Sequence, residues 1–241
     1  MPLPDSEIER VLAVAAHPDD IDFGSAATMA GFVAAGIEVT YLLCTYGDQG
    51  GFDDTPREQM PVIREAEQRA AAAAVGVQDV RFLSGYRDGW LEPTFELQRD
   101  ICRVIRQVRP QRVLTASPDR FWDRIGASHP DHLAAGEATV RAVYPAARNP
   151  FSWPELIDEE GLQPWTVQEI WLSAHPEANH WVDTTDHFAK KVSALKAHVS
   201  QTGQLGDELE ARLRQWGTLT AAAGGLDDGR LAEAFRVIAT G

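Results

Sequence analysis

An apolar run, Val11 to Ala16, ends abruptly in His17-Pro18-Asp19-Asp20, and small residues resume at Gly24. A short continuous apolar run reads as a strand buried on both faces, the kind found inside a parallel sheet. Open α/β sheets place their ligand sites at the C-terminal ends of such strands. The stretch therefore sets two expectations at once: a parallel α/β sheet, and a polar site at its rim.

The rest of the chain continues the alternation. Residues 24–35 (GSAATMAGFVAA) read as a helix stopped by Gly36, and 37–45 (IEVTYLLCT) as a second buried strand. Such a β-α-β unit is parallel and right-handed in nearly all cases. A glycine-rich polar loop, 45–51, follows at the next strand end, then an alanine-rich helix over 57–75 and a short strand over 79–83. Leu97, Ile101, Val104, Ile105 and Val108 share helical spacing, so 95–108 reads as an amphipathic helix stopped by Pro110. Strands are expected at 112–116 and 169–173, with an edge strand at 181–184. Helices are expected at 133–144, 185–202, 205–217 and 229–239. Residues 144–164, rich in proline and aromatics, read as an irregular and mostly exposed excursion, long enough for a binding or lid loop. The pattern indicates a three-layer α/β architecture with a mostly parallel sheet.

Charge narrows the partners. The 241 residues carry 36 acidic and 22 basic side chains, a net charge of −14. That argues against a nucleic-acid or anionic-membrane surface. No apolar run approaches the roughly 20 residues that span a bilayer. Met1 to Arg10 lacks the basic and apolar segments of a secretory leader, so a cytoplasmic protein is expected. Cys44 and Cys102 lack the CxxC pairing of a structural zinc site and read as reduced core thiols.

A second polar cluster, His129-Pro130-Asp131-His132, follows the fourth strand and suits a helix start. His17 and Asp20 sit three apart in a tight loop, and His132 completes a set of two histidines and one carboxylate. That donor set leaves positions open for water and substrate, as catalytic metal sites do. Asp19 and Asp20 are adjacent and point differently, so one can bind metal while the other faces the water to be activated. His129 lies on the same helical face as His132 and can stabilise an oxyanion or protonate a leaving amine without ligating. Asp131 can orient one of these rings. Histidines 175, 180, 187 and 198 are expected to be surface or packing residues, with His198 nearest to an exception in its polar helix end. Trp90, Trp122, Trp153 and Trp165 fall in loops from which they could stack on sugar rings.

These motifs resemble the PIG-L/LmbE-like N-deacetylases. The resemblance spans residues 10–202 and rests on AHPDD (16–20), TYGDQGG (45–51), RxxE (64–67), GYRDG (85–89) and HPDH (129–132). It implies a single domain over 1–241 with a Rossmann-like αβα sandwich, and self-association; the lid or insert near 144–168 is read from the sequence and is a departure from the family pattern. It implies zinc as the metal, with iron(II) in some members, held by His17, Asp20 and His132. It further implies Asp19 as general base, His129 as electrophilic or acid partner with Asp131 beside it, and Arg64 and Asp88 on the sugar part of the substrate. The implied reaction is hydrolysis of an N-acetyl amide of an amino sugar or related small amide, giving acetate and a free amine; an amidase of thiol conjugates is the alternative. One departure is Ala127, where the mycothiol-pathway members resembled here carry tyrosine.

Three other classes fit less well. A dinucleotide site needs GxGxxG at the first β-α turn, and HPDDIDFG would repel phosphate there. A non-haem iron oxygenase shares the donor set but favours a β-barrel scaffold. A non-catalytic binding module would not need the full set of ligands and base.

Overall fold

The computed structural model describes residues 2–52 and 54–241. In chain order its elements are β1 (Arg10–Ala15), α1 (Asp20–Ala34), β2 (Glu38–Leu43), α2 (Met60–Val75), β3 (Asp79–Phe82), α3 (Phe95–Val108), β4 (Arg112–Ala116) and α4 (Pro130–Arg141). Then come α5 (Glu155–Asp158), β5 (Glu169–Ser173), β6 (His180–Asp183), α6 (Phe188–Ala197), α7 (Val199–Thr202), α8 (Glu208–Ala223) and β7 (Ala232–Ala239). Among the described residues seven strands form one sheet, ordered β3-β2-β1-β4-β5-β7-β6. The first five are parallel, and β7 runs antiparallel between β5 and β6.

Alternation along β1 builds the two flanking layers. Leu12 and Val14 pack with Leu97, Ile101 and Ile105 of α3 and Ala135 and Ala138 of α4. Val11, Ala13 and Ala15 point the other way, against α1, α2 and Ala194 of α6. A sheet buried on both faces needs strands that are apolar throughout, which is what Val11 to Ala16 supplies. Cys44 and Cys102 are fully buried in the α3/α4 layer, as reduced core thiols should be. Among the described residues no helix is long and apolar enough to cross a membrane.

The strand order reverses between β1 and β4, which makes the crevice above them the topological switch point. His17 to Asp20 leave β1 there, and the loop after β4 leads to His129 to His132. Gly136 sets the distance between the two. A Cβ on that residue would lie 2.3 Å from the Ala116 carbonyl oxygen, so only glycine lets α4 lie this close to β4. Below, at the opposite end of the sheet, the fully buried Arg112 donates to Glu169 (2.6 Å) and Asp5 (2.7 Å) and lies 4.1 Å from the Trp171 ring centroid.

Several elements depart from expectation. Helix α1 begins at Asp20, not Gly24, so the second aspartate belongs to the first helical turn. The helix expected over 185–202 breaks at His198 (φ −81°, ψ 61°) into α6 and α7. Residues 229–239, expected as a helix, contain β7. Glu233, Phe235 and Val237 share one face of that strand, and a glutamate in the apolar phase hides the alternation. Its burial is compensated by Lys191 (2.6 Å) and by the Thr28 amide and hydroxyl (2.8 and 2.5 Å).

Residues 144–168 lie at the end of the sheet away from the switch point. Arg106, in the last turn of α3, donates to the carbonyls of Ala146, Ala147, Asn149 and Ser152. Trp165 donates to Pro110 (2.7 Å) under the Arg109 guanidinium, and Trp153 packs on the α3/α4 core. The segment caps the N-terminal ends of the strands. It forms no lid over the switch point, and these two tryptophans are packing residues there.

Gly136→Ala should cost about 1–3 kcal/mol, the usual penalty of overpacking, because a backbone carbonyl cannot swing aside as a side chain can. Urea unfolding measures it, and an unchanged midpoint would show that α4 shifts freely.

Candidate active site

Three imidazoles meet at the switch point. The ring centroids of His17 and His129 are 5.2 Å apart, those of His17 and His132 5.3 Å, and those of His129 and His132 5.3 Å. His17 is buried and His132 half-buried, while His129 is exposed at the mouth.

Asp20 bridges two of them. Its Oδ2 lies 3.4 Å from His17 Nδ1, and its Oδ1 lies 2.9 Å from His132 Nε2. Ligands at about 2.0–2.2 Å from a tetrahedral ion stand roughly 3.3–3.6 Å from one another; the His17–Asp20 separation is of that size, while His132 and Asp20 lie closer, as a hydrogen-bonded pair. The other nitrogen of His17, Nε2, is 3.0 Å from both Asp131 Oδ2 and Asp88 Oδ1. A histidine fixed from behind by carboxylates, with its remaining nitrogen turned to a carboxylate ligand, is how proteins prepare a metal-binding ring. The donor set therefore fits a divalent metal.

Two other groupings are close enough to compete. His17, His129 and His132 each offer a nitrogen within 4.8 Å of the others, and so do the ligand atoms of His17, Asp88 and Asp131. Hydrogen bonding disfavours both. His129 Nδ1 accepts the Asp131 N–H (3.2 Å), as the cap of α4. Asp131 already accepts the N–H groups of Gly89 (2.7 Å) and Leu91 (3.3 Å), and Asp88 that of Gln49 (3.1 Å). The Asp131 carboxylate thus serves His17, and it is the Asp131 backbone that orients His129. With Nδ1 accepting, a neutral His129 keeps its proton on Nε2.

Asp19 points elsewhere. Its φ of 87° puts it in the left-handed region, which aspartate tolerates better than most residues. Its Oδ2 lies 3.3 Å from Arg64 Nη2, and its N–H donates to Gln68 Oε1 (2.9 Å). Arg64, one helical turn before Gln68, also donates to the carbonyls of Pro18 (2.6 Å) and Gly47 (3.0 Å) and sits 3.8 Å from Asp88. Gly47 is required beside it: its φ is 67°, and a Cβ would fall 2.2 Å from Arg64 Nη1.

The local charges are strongly shifted. Burial disfavours the charged form of His17, yet Asp20, Asp131 and Asp88 raise it to about 12. Burial raises Asp19 to about 7 against the pull of Arg64, with Asp20 adding to the rise. Asp20 is also buried, but His132 and His17 hold it well below the usual carboxylate range. His132 is raised despite burial, chiefly by Asp20, and His129 is lowered by burial and by the two neighbouring rings.

Four supporting residues, Asp22, Asp48, Gln49 and Gln68, were not singled out in the sequence, and a fifth, His198, was set apart there only for its polar helix end. Gln68 Nε2 donates to Asp22 Oδ2 (2.8 Å), and His198 Nε2 lies 2.8 Å from the same oxygen, all fully buried. His198 thus reaches the site only through Asp22 and Gln68. Asp48 and Gln49 hold the loop around Asp88, with the Asp88 N–H donating to Asp48 (3.0 Å) and the Gln49 side chain donating to the Asp88 carbonyl. The signal for Gln68 is its spacing, four residues after Arg64 on one helix face. Of the remaining tryptophans, Trp90 follows Gly89 beside Asp131, and Trp122 lies in the loop before His129; both are exposed.

Gln68→Leu leaves the Asp19 N–H without its partner and the Asp22 carboxylate with His198 alone, and should cost about 1–3 kcal/mol. Chemical denaturation measures the loss; unaltered stability would mean that water replaces the amide at no cost.

Comparison with known proteins gives a consistent picture. A family model described as PIG-L, GlcNAc-PI de-N-acetylase, matches residues 12–143. A diacetylchitobiose deacetylase of Thermococcus kodakarensis is 31% identical over 98% of this chain and 85% of its own length. A 1D-myo-inositol 2-acetamido-2-deoxy-alpha-D-glucopyranoside deacetylase of Catenulispora acidiphila is 30% identical over 81% of each chain. The structure of N,N'-diacetylchitobiose deacetylase from Pyrococcus horikoshii, complexed with its inhibitor MPG, superposes with a TM-score of 0.86 at 27% identity, covering 98% of this chain and 85% of that one.

Proposed function

The chain belongs to the PIG-L family of GlcNAc-PI de-N-acetylases, and from that premise we propose that it is a metal-dependent hydrolase that removes an N-acetyl group from an amino sugar, releasing acetate and a free amine. The observation that carries this reading is the meeting of His17, Asp20 and His132 from two separate motifs, with Asp20 between the two imidazoles. The named relatives act on N-acetylated amino sugars, which supports the substrate class.

His17 Nδ1, Asp20 and His132 Nε2 would hold the ion, zinc or alternatively iron(II). When bound, it supplies Lewis acidity, which acidifies water and polarises an amide carbonyl. The other steps fall to the chain's own groups. Asp19 accepts the proton of the attacking water, and a carboxylate raised to about 7 is matched to that task at neutral pH. Arg64 and Gln68 hold Asp19 in place from one side. His129, with its proton on Nε2, donates to the developing oxyanion or to the departing nitrogen. Asp131 and Asp88 keep His17 from turning. Arg64 and Asp88 border the Asp19 side of the centre, where the sugar part of the substrate is proposed to lie.

Purified protein should hold about one zinc or iron per chain, and His132→Ala should lose it, as elemental analysis reads directly. Retention of the metal by that variant would remove the proposed ligand set. Asp19→Ala should keep the metal while acetate release falls about 10²–10⁴-fold, the usual contribution of a general base.

A further inference from the structure

A cavity of about 560 Å³ opens from the catalytic centre on the side away from Asp19. It begins at Asp20 and His132, passes Ala127, and runs between the sheet and α8. Ala13, Ala15 and Leu114 line the sheet side, and Phe188, Leu213 and Trp216 the helix side. Small residues on the strands leave the volume that larger ones would fill. At the rim, Trp216 is 46% exposed and lies under the Arg124 guanidinium (5.7 Å). Leu219, Trp122 and Ile125 are also exposed on α8 and on the loop before His129. Of the charged groups along the cavity, Lys191 and Glu233 are bonded to each other and to Phe23 and Thr28, Arg124 lies over the Trp216 ring at the rim, and Asp20 lies at the inner end. Asp19, Arg64, Asp88 and His129 are not among the described residues that line it.

The centre is therefore two-sided. Ionic and amide groups lie on one flank and a mostly apolar cavity, with hydroxyls of Ser25, Thr115 and Ser173 in its wall, on the other, with the proposed metal ligands between them. An amide hydrolysed at that point has its carbonyl beside Asp20 and His132, its amine portion on one flank and its acyl portion on the other. Polar groups suit a polyhydroxylated amine. The apolar cavity suits hydrocarbon, and its volume falls within the about 300–1,000 Å³ of small-molecule pockets. An acetyl methyl occupies only a small part of that space.

We infer that the cavity between the sheet and α8 is an acyl-chain subsite, and that the protein hydrolyses N-acylated amino sugars whose acyl group is an aliphatic chain longer than acetyl. The inference rests on the reading of the centre as an amide hydrolase. Water adds to the carbonyl carbon, the C–N bond breaks, the nitrogen takes a proton, and the products are a medium-chain carboxylate and the free amino sugar. Each methylene that leaves water multiplies affinity about fourfold, the equivalent of about 0.8 kcal/mol.

The test is a series of N-acylglucosamines from acetyl to decanoyl with the zinc-loaded protein. The expected result is a kcat/KM that rises by about tenfold or more from acetyl to octanoyl. Thr220→Phe, which fills the cavity from α8, should lower the octanoyl-to-acetyl ratio by about tenfold. Cleavage of the acetyl compound with steady loss as the chain lengthens would overturn the subsite and leave deacetylation standing. Cleavage of none would instead remove the hydrolase reading. Calorimetric titration of N-octanoylglucosamine then decides the subsite: binding that is weakened in Thr220→Phe supports it, and no binding overturns it.

Discussion

His17 Nε2 lies between two buried carboxylates, and three separate segments of the chain meet on that one nitrogen. Asp131 arrives on α4, Asp88 on the loop after β3, and His17 on the end of β1. A charged cluster removed from water is costly unless its members are paired and hydrogen-bonded. Here the compensation is dense: Asp131 also takes two backbone N–H groups and Asp88 takes another. Neutral packing could hold three loops together, but it would not fix the tautomer and direction of an imidazole. The pairing does both, because an Nε2 facing two carboxylates must carry the proton and Nδ1 must then face Asp20.

Arg64 performs a similar office on the other flank. Its guanidinium joins the carbonyls of Pro18 and Gly47 to the Asp19 carboxylate, so helix α2 fixes the β1 turn and the glycine-rich loop together. Five donors in a rigid fork suit that task, and lysine could not satisfy the same set of acceptors. The close approach leaves no room for a side chain at Gly47, so the motif glycine and the motif arginine are two halves of one contact.

The legible parts of the sequence were those where one residue pattern had one meaning. Val11 to Ala16 is apolar without interruption and lies in the middle of the sheet, and the stripe from Leu97 to Val108 faces the core as its spacing requires. The polar ends of β1 and α4 marked the site because carboxylates and imidazoles at a strand end serve no core. What stayed hidden depends on distant partners. Strand β7 reads as helical because Glu233 occupies an apolar phase, and only Lys191 and Thr28, from two other elements, make its burial tolerable. The role of Gln68 is hidden in a run that resembles any solvated helix face. A cavity is less legible still: it is volume left by alanines on several strands and by glycines on α1 and α8, each unremarkable alone.

The two adjacent aspartates show how backbone conformation divides chemistry. In an ordinary helical turn, Asp19 and Asp20 would share one environment and repel each other. The left-handed φ of 87° at Asp19 turns its carboxylate toward Arg64, while Asp20 begins α1 and faces His17 and His132. One carboxylate is then held strongly acidic by two imidazoles, and its neighbour is raised to about 7 chiefly by burial. That separation of acidities between two identical side chains is what the proposed roles of ligand and base require of them. It is achieved by the Gln68 side chain accepting the Asp19 N–H, a hydrogen bond that holds the unfavourable conformation in place.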